Sequence, residues 1–293
     1  MKMKRNPKSK PLNPRPVSLF NKNLYVRTLS GIVLLGAVLG AVLWSPYSML
    51  ALALLLAAGS MTEFFRIARL SGARPLGGYA LAVGCALVAL VFAVAAGLAT
   101  PKLLSVLLPL VFLPFVVELY RKGTAPAADI AWTLCGIVYA ALPFALLAAL
   151  AVRPAADGIA YSPLTVLGVI FIVWANDVGA YLSGSTWGRH KLFERISPKK
   201  SWEGFFGGVL CAVGVALLMA LWQDAPFGLW AGAGAVIAVG GVLGDLVESM
   251  FKRSVGLKDS GTSIPGHGGF LDRFDALILA MPFVYAYFAI FTL

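Results

Sequence analysis

The sequence predicts an all-α polytopic membrane protein with about nine transmembrane helices and short loops. Of its 293 residues, 59% are hydrophobic and 13% are charged, whereas a soluble domain has about 45–50% apolar and about 25% charged residues. Apolar runs recur along the chain, and about 20 such residues span a bilayer. The predicted spans are 29–45, 47–65, 77–99, 103–119, 130–151, 163–183, 204–222, 228–250 and 274–293.

Individual spans carry further signals. The first two meet at Ser45-Pro46, which predicts a tight helical hairpin. Span six contains Asn176 and Asp177, and span eight ends through Asp245. Span eight is also rich in Gly and Ala, small residues that let membrane helices approach closely.

Basic residues lie almost entirely on one side of these spans. Residues 1–28 hold eight Lys and Arg and no acid, and the loops 66–76, 120–129, 184–203 and 251–273 raise the total on that side to 22 of 24. Cytoplasmic loops of membrane proteins are enriched in Lys and Arg. The net charge of +11 is therefore explained by topology, and nucleic acid is not an expected partner.

The chain divides into three predicted regions. Residues 1–28 form a basic cytoplasmic arm, expected to be disordered because it has little apolar content. It acts as a topology determinant or, alternatively, contacts anionic lipid headgroups. Residues 29–160 form an N-terminal multi-span region, and residues 161–293 form a membrane region with distinctive polar motifs.

The first polar motif lies at the end of span eight. Four polar residues there recur at helical spacing and would share one helix face: Asp245, Glu248, Ser249 and Lys252. Such a stripe can be a lipid-shielded ion pair or half of a metal or phosphate site. Both interpretations remain open at this point.

A glycine-rich segment follows this stripe. Lys258 and Asp259 precede Pro265-Gly266-His267-Gly268-Gly269. Glycine lets the backbone approach a ligand closely and offer N–H groups to an anion. The segment is therefore a candidate for phosphate binding.

Two acids, Asp272 and Asp275, begin span nine. Acids near a helix N-terminus can be simple caps, since they interact favourably with the helix dipole. Beside Asp245 and the glycine-rich segment, we favour ligation of a hard divalent metal ion by the three carboxylates.

Span six and its following loop supply a second group. Asp177 and Tyr181 fall one turn apart on one helix face, and an acid within a span is expected to face a partner. Ser197-Pro198 predicts a helix N-cap and first helical residue. A helix N-terminus is a natural phosphate site, and three residues would surround it: Lys199, Lys200 and Ser201.

These motifs together bring acids, bases and glycines to one membrane face. The alternative is that the loop bases are only topological charges. The sequence shows no Ser-His-Asp order, no cysteine nucleophile and no zinc-ligand spacing. The combination predicts phosphoryl or nucleotidyl transfer by positioning and electrostatics.

One long motif spans this region: Ser249-x-Phe251-Lys252-Arg253-x4-Lys258-Asp259-x-Gly261-x2-Ile264-Pro265-x-His267-Gly268-Gly269-Phe270-x-Asp272-Arg273-Phe274-Asp275. It resembles the pattern of the phosphatidate cytidylyltransferase family, the CDP-diacylglycerol synthases. The upstream residues Asp177, Tyr181 and Ser197 to Gly204 are also similar to that family. The resemblance covers about residues 170–280.

The resemblance implies that CTP and phosphatidate react to give CDP-diacylglycerol and diphosphate. It implies Mg²⁺, a second, monovalent cation such as K⁺, and a homodimer among membrane lipids. Compact loops suggest a bacterial plasma membrane, with the site facing the cytoplasm. A different lipid phosphate as substrate, an ion transporter and a non-catalytic lipid-binding scaffold are the alternatives.

The resemblance also implies roles for individual residues. The catalytic set is Asp245, Lys252, Lys258, Asp259, His267 and Asp272. The phosphate-binding set is Lys199, Lys200, Ser201, Ser249, Arg253, Gly268, Gly269 and Arg273. The metal ligands are Asp245, Asp272 and Asp275, and the pocket residues are Asp177, Tyr181 and Glu248.

Overall fold

Long helices account for most of the chain. The computed structural model describes residues 18–264, 266 and 268–292. Its helices are α1 Ser18–Trp44, α2 Pro46–Leu70, α3 Gly77–Ala95, α4 Leu107–Arg121, α5 Pro126–Cys135, α6 Leu142–Leu150, α7 Pro163–Trp187, α8 Trp202–Trp222, α9 Phe227–Ser254 and α10 Leu271–Phe291. A 3₁₀ turn, Pro101–Val106, leads into α4, and a π-helical segment, Gly136–Ala141, joins α5 to α6.

The helices confirm the predicted fold class. Within the described residues, eight helical segments are long and apolar enough to cross a membrane, and Thr28–Trp44 is a shorter apolar stretch of α1. Helix α7 is continuous through Asn176. Helix α1 already begins at Ser18, so the prediction of disorder is wrong for residues 18–28, while residues 1–17 lie outside the described part of the chain. Extending an existing helix avoids the unfavourable nucleation step.

Ser45 joins the first two helices as predicted. It is the N-cap of α2, and its hydroxyl accepts a hydrogen bond from Ser48 N (3.1 Å). The Ser48 hydroxyl in turn accepts one from Ser45 N (2.9 Å). Since this reciprocal pair satisfies free N–H groups at the start of α2, α2 can begin directly after α1 ends.

Two short hairpins interrupt the helices. Strands β1 (Val152–Ala155) and β2 (Gly158–Tyr161) pair antiparallel between α6 and α7. Strands β3 (Lys191–Phe193) and β4 (Ser197–Ser201) pair antiparallel between α7 and α8.

The helix start predicted at Ser197-Pro198 is therefore wrong. Both residues lie in β4, and α8 begins at Trp202. The residue before a proline disfavours helical backbone angles, and a two-stranded sheet has only edge strands, which tolerate proline. Ser201 is the actual N-cap, with extended backbone and a hydroxyl that accepts from Gly204 N (3.2 Å).

Close packing of α9 on α10 depends on glycine. A Cβ atom on Gly240 would lie 2.8 Å from the Cα atom of Ala280, and one on Gly244 would lie 2.4 Å from the backbone oxygen of Asp275. The two backbones therefore touch, as the small residues of span eight predicted. This contact carries Asp245 to the side of Asp275.

The loops with basic residues gather at one end of the helices. There the Arg74 N–H donates to Asp129 Oδ1 (2.5 Å), and Arg66 Nη1 donates to the backbone oxygen of Ser260 (3.4 Å). The β1–β2 hairpin lies at the other end, where the Tyr161 hydroxyl donates to a backbone oxygen of α1. We refer to the first end as the polar end.

Candidate active site

A cavity of about 660 Å³ lies at the polar end among α7, α8, α9 and α10. Residues from both polar groups of the sequence line it. The predicted site residues in its walls are Asp177, Tyr181, Lys199, Lys200, Ser201, Asp245, Lys252, Asp259, Asp272, Arg273 and Asp275. The loop before α8 and the loop before α10 thus share one cavity.

Three carboxylates converge beside this cavity. Side-chain oxygens of Asp245, Glu248 and Asp275 lie within 4.8 Å of one another. The first two are about one turn apart on α9, and Asp275 approaches from α10. Glu248 is fully buried, and its Oε1 atom has no hydrogen-bond donor in the described part of the chain. Such oxygen clusters suit a divalent cation.

Asp272 makes a different set of contacts. Its carboxylate accepts hydrogen bonds from Ser260 N (2.9 Å), Gly269 N (3.0 Å) and Lys252 Nζ (2.6 Å). Lys252 also forms an ion pair with Glu248. A carboxylate that already accepts several hydrogen bonds is held in one orientation, so Asp272 is rigidly placed in the cavity wall.

The metal-ligand set of Asp245, Asp272 and Asp275 stays a prediction. The structure places Glu248, rather than Asp272, in the cluster with the other two acids. Glu248 was predicted only as a pocket residue. Its helical spacing from Asp245 was visible in the sequence, but its approach to Asp275 depends on the contact between α9 and α10.

Lys200 connects the β3–β4 hairpin to α9. Its ammonium lies 2.7 Å from Asp245 Oδ2 and donates to the backbone oxygen of Val242 (3.3 Å). The hairpin is also attached to the start of α8, where His190 Nδ1 lies 2.6 Å from Glu203 Oε1. These contacts hold Lys200 in the cavity wall, where the neighbouring Lys199 also lies.

Several predicted residues lie outside the cavity lining. The Ser249 hydroxyl donates to Asp245 Oδ1 (3.2 Å) and so helps to orient that carboxylate. Arg253 Nη1 donates to the backbone oxygen of Leu257 (2.6 Å) at the end of α9, and Lys258 is exposed. His267 lies outside the described residues.

The described glycines of the glycine-rich segment adopt turn geometry before α10. Gly266 and Gly268 have positive φ angles, 75° and 88°, which glycine adopts without strain. Ile264 N donates to the backbone oxygen of Gly268 (2.8 Å) and closes the turn. The N–H group of Gly269 points at Asp272. This N–H therefore already donates to a side chain of the protein itself.

Glu63 is a buried residue that supports the site, and the sequence motifs did not predict it. It lies on α2, is only 4% exposed, and accepts four hydrogen bonds from the segment 260–271. The available signal was an acid inside the predicted span 47–65, because a charge within a membrane span needs a partner.

Aromatic packing joins the N-terminal helices to the end of α9. The ring of Phe251 contacts those of Phe64 (5.5 Å between centroids), Tyr139 (5.4 Å) and Trp132 (5.9 Å). Aromatic pairs at such distances contribute about 0.5–1.5 kcal/mol each beyond area burial. They fix the helix turn that carries Lys252.

The sequence profile of the cytidylyltransferase family matches residues 25–291. A phosphatidate cytidylyltransferase of Staphylococcus epidermidis is 39% identical over 178 residues, which are 59% of this chain and 65% of the relative. The phosphatidate cytidylyltransferase of Staphylococcus aureus (strain COL) has the same identity and the same coverage of both chains. That of Staphylococcus saprophyticus is 38% identical over 181 residues, 61% of this chain and 66% of the relative. The matched region thus spans slightly less than two thirds of these relatives' length.

Proposed function

This chain belongs to the cytidylyltransferase family, and from that premise we propose that it transfers the cytidylyl group of CTP to phosphatidate, giving CDP-diacylglycerol and diphosphate. The observation that carries the proposal is the cavity in which lysines and carboxylates of the β3–β4 hairpin, α9 and α10 converge. The names of the similar staphylococcal proteins support phosphatidate as the lipid substrate. Residues 161–293 are the catalytic region, and residues 29–160 support it.

The nucleophile of this reaction is an oxygen of the lipid phosphate. It forms a bond to the α-phosphorus of CTP, the bond between that phosphorus and the bridging oxygen breaks, and diphosphate leaves. The lipid phosphate is already ionised near pH 7, so the reaction needs no strong general base. The lack of a base–nucleophile pair in the sequence motifs supports this chemistry.

The barrier then arises from repulsion between two anionic reactants and from charge on the leaving diphosphate. The cations that line the cavity lower this barrier by offsetting the negative charges: Lys199, Lys200, Lys252 and Arg273. Lys200 and Lys252 are held by carboxylates at 2.7 and 2.6 Å. Charge-assisted hydrogen bonds to phosphate can replace or supplement these pairs when substrate enters.

The residues present fit the Mg²⁺ that the family resemblance implies. Carboxylate oxygens from three residues lie within 4.8 Å, and the buried Oε1 of Glu248 lacks a donor among the described residues. Asp245 and Asp275 would hold the ion, with Asp272 or Glu248 as a further ligand. When bound, Mg²⁺ supplies Lewis-acid polarisation of the phosphate. The monovalent cation and the homodimer rest on the resemblance alone.

We place the active site at the cytoplasmic face of a bacterial plasma membrane. Most Lys and Arg residues belong to loops predicted on the cavity's side of the membrane, and positive charge favours that side. Cytoplasmic CTP would reach the cavity directly, and phosphatidate would reach it from the adjoining leaflet.

The test is diphosphate release by the purified protein with CTP, Mg²⁺ and phosphatidate. We expect release that depends on the lipid and yields CDP-diacylglycerol. Competition with other lipid phosphates tests the substrate class. A folded wild-type protein that releases no diphosphate under these conditions would overturn the proposal and favour a scaffold or transporter.

A further inference from the structure

We propose that Glu63, on α2 in the N-terminal region, is a positioning residue for cytidylyl transfer. It fixes the described residues of the segment 260–271 and, through them, the place of Asp272 and its contact with Lys252 in the cavity. The inference rests on the proposed function. It states that the reaction also needs a residue outside the catalytic region of residues 161–293.

The Glu63 carboxylate is the hydrogen-bonding centre of this segment. Its Oε1 accepts from the Ser263 hydroxyl (2.6 Å) and Phe270 N (3.0 Å), and its Oε2 accepts from the Ser260 hydroxyl (2.7 Å) and Leu271 N (2.9 Å). Two of the donors are N–H groups at the start of α10, which have no partner within the helix. The carboxylate therefore fixes both the loop and the helix start.

Two glycines of the segment, Gly261 and Gly269, lie directly against this carboxylate. A Cβ atom on Gly269 would lie 2.1 Å from Glu63 Oε2, and one on Gly261 would lie 2.5 Å from Oε1. Glycine is thus needed at both positions for the backbone to come this near. Two motif glycines are explained by an acid that lies almost 200 residues earlier, at a separation of 197 from Ser260.

Ser260 links this centre to the cavity. Its hydroxyl donates to Glu63, while its N–H donates to Asp272 Oδ2 at 2.9 Å. Asp272 follows Leu271 directly and accepts from Lys252 Nζ at 2.6 Å. Both Asp272 and Lys252 line the cavity. Movement of the segment away from Glu63 would therefore displace Asp272 and remove one of the two carboxylate partners of Lys252.

A carboxylate suits this position better than a carboxamide. Both oxygens accept from a backbone N–H, and a carboxamide offers only one acceptor oxygen. In Glu63→Gln, one end of the side chain would set an NH₂ group against a backbone N–H. The substitution keeps size and shape, so it removes the hydrogen-bonding pattern with little change in packing.

The experiment compares Glu63→Gln with wild type in three measurements. We expect turnover at saturating substrate to fall roughly 100-fold per folded molecule, the loss that a misplacement of about 1 Å can cause. We expect the KM for CTP to stay within about twofold, as for an interaction that acts in the transition state. Hydrogen exchange of the amides in 259–272 should accelerate, because those groups lose their acceptor.

Glu118→Gln is the matched control. Glu118 is another buried acid of the N-terminal region, 5% exposed, and it pairs with Arg121. We expect this variant to retain turnover and normal exchange in 259–272. If Glu63→Gln and Glu118→Gln lose the same amount of turnover, the loss is a general effect of removing a buried charge, and the proposal is overturned.

The remaining outcomes are also decisive. Folded Glu63→Gln protein with normal turnover overturns the positioning role, whatever its exchange rates. If Glu63→Gln does not fold, Ser263→Ala removes one of the four hydrogen bonds, and normal turnover together with normal exchange in 259–272 would overturn the proposal. A wild-type protein without activity refutes the proposed reaction, while the exchange measurement still tests the attachment of the segment to Glu63.

Discussion

The Lys200 ammonium lies 2.7 Å from Asp245 Oδ2. This ion pair joins the β3–β4 hairpin to α9, two segments that are separate in the sequence. In this pair, the cation that we propose for phosphate and the carboxylate that we propose for the metal ion neutralise each other.

Lys200→Met should lower kcat/KM by about 10–100-fold, because charge-assisted hydrogen bonds contribute about 1.5–3 kcal/mol. The methionine keeps the length of the side chain but removes the positive charge. Steady-state diphosphate release at varied CTP measures the effect. Lys102→Ala, on an exposed 3₁₀ turn, is the control and should leave activity nearly unchanged. Equal activity in both variants would count against a role for Lys200 in phosphate binding.

Asp245→Asn should abolish turnover while the protein still inserts and folds. Asp245 is only half-buried and is anchored by the Ser249 hydroxyl at 3.2 Å, so an amide fits the same space. The loss would follow from the missing negative charge at the proposed metal. Turnover and thermal unfolding in detergent are the measurements. Near-normal activity of the purified variant would refute the metal assignment.

Mg²⁺ should stabilise the wild-type protein against thermal unfolding in the absence of substrates. A ligand at 100 times its Kd contributes about 2.7 kcal/mol. In Asp275→Asn this metal-dependent shift should be lost or much reduced, because one of three converging carboxylates is gone. Asp224→Asn, in the loop between α8 and α9, should keep the full shift. The same shift in both variants would place the ion elsewhere.

Gly244→Ala should lower both stability and activity. Its Cβ atom would lie 2.4 Å from the backbone oxygen of Asp275, so α9 and α10 must move apart, and overpacking of this kind typically costs about 1–3 kcal/mol. Thermal unfolding and turnover are both measured. Gly214→Ala on α8 is the control, because a Cβ atom there meets nothing within 4 Å. Similar losses in the two variants would show that helix contact at Gly244 is not the cause.

The spacing of polar residues predicted part of the candidate site. Asp245 and Lys252 were assigned to one helix face, and the structure places both in the cavity wall. The prediction failed at Ser197-Pro198, where local capping preferences indicated a helix. The chain instead forms β4, since pairing with β3 adds hydrogen bonds that a local pattern does not reveal.

The sequence by itself determined the membrane fold, the approximate span positions and the predicted grouping of basic loops. These features follow from bilayer thickness and helix periodicity, which act on neighbouring residues along the chain. Only the tertiary structure decided that Glu63 holds the segment before α10, that Glu248 joins Asp245 and Asp275, and that Lys200 meets Asp245. The physical reason is that a buried charge needs partners, and packing of distant helices determines which partners lie within reach.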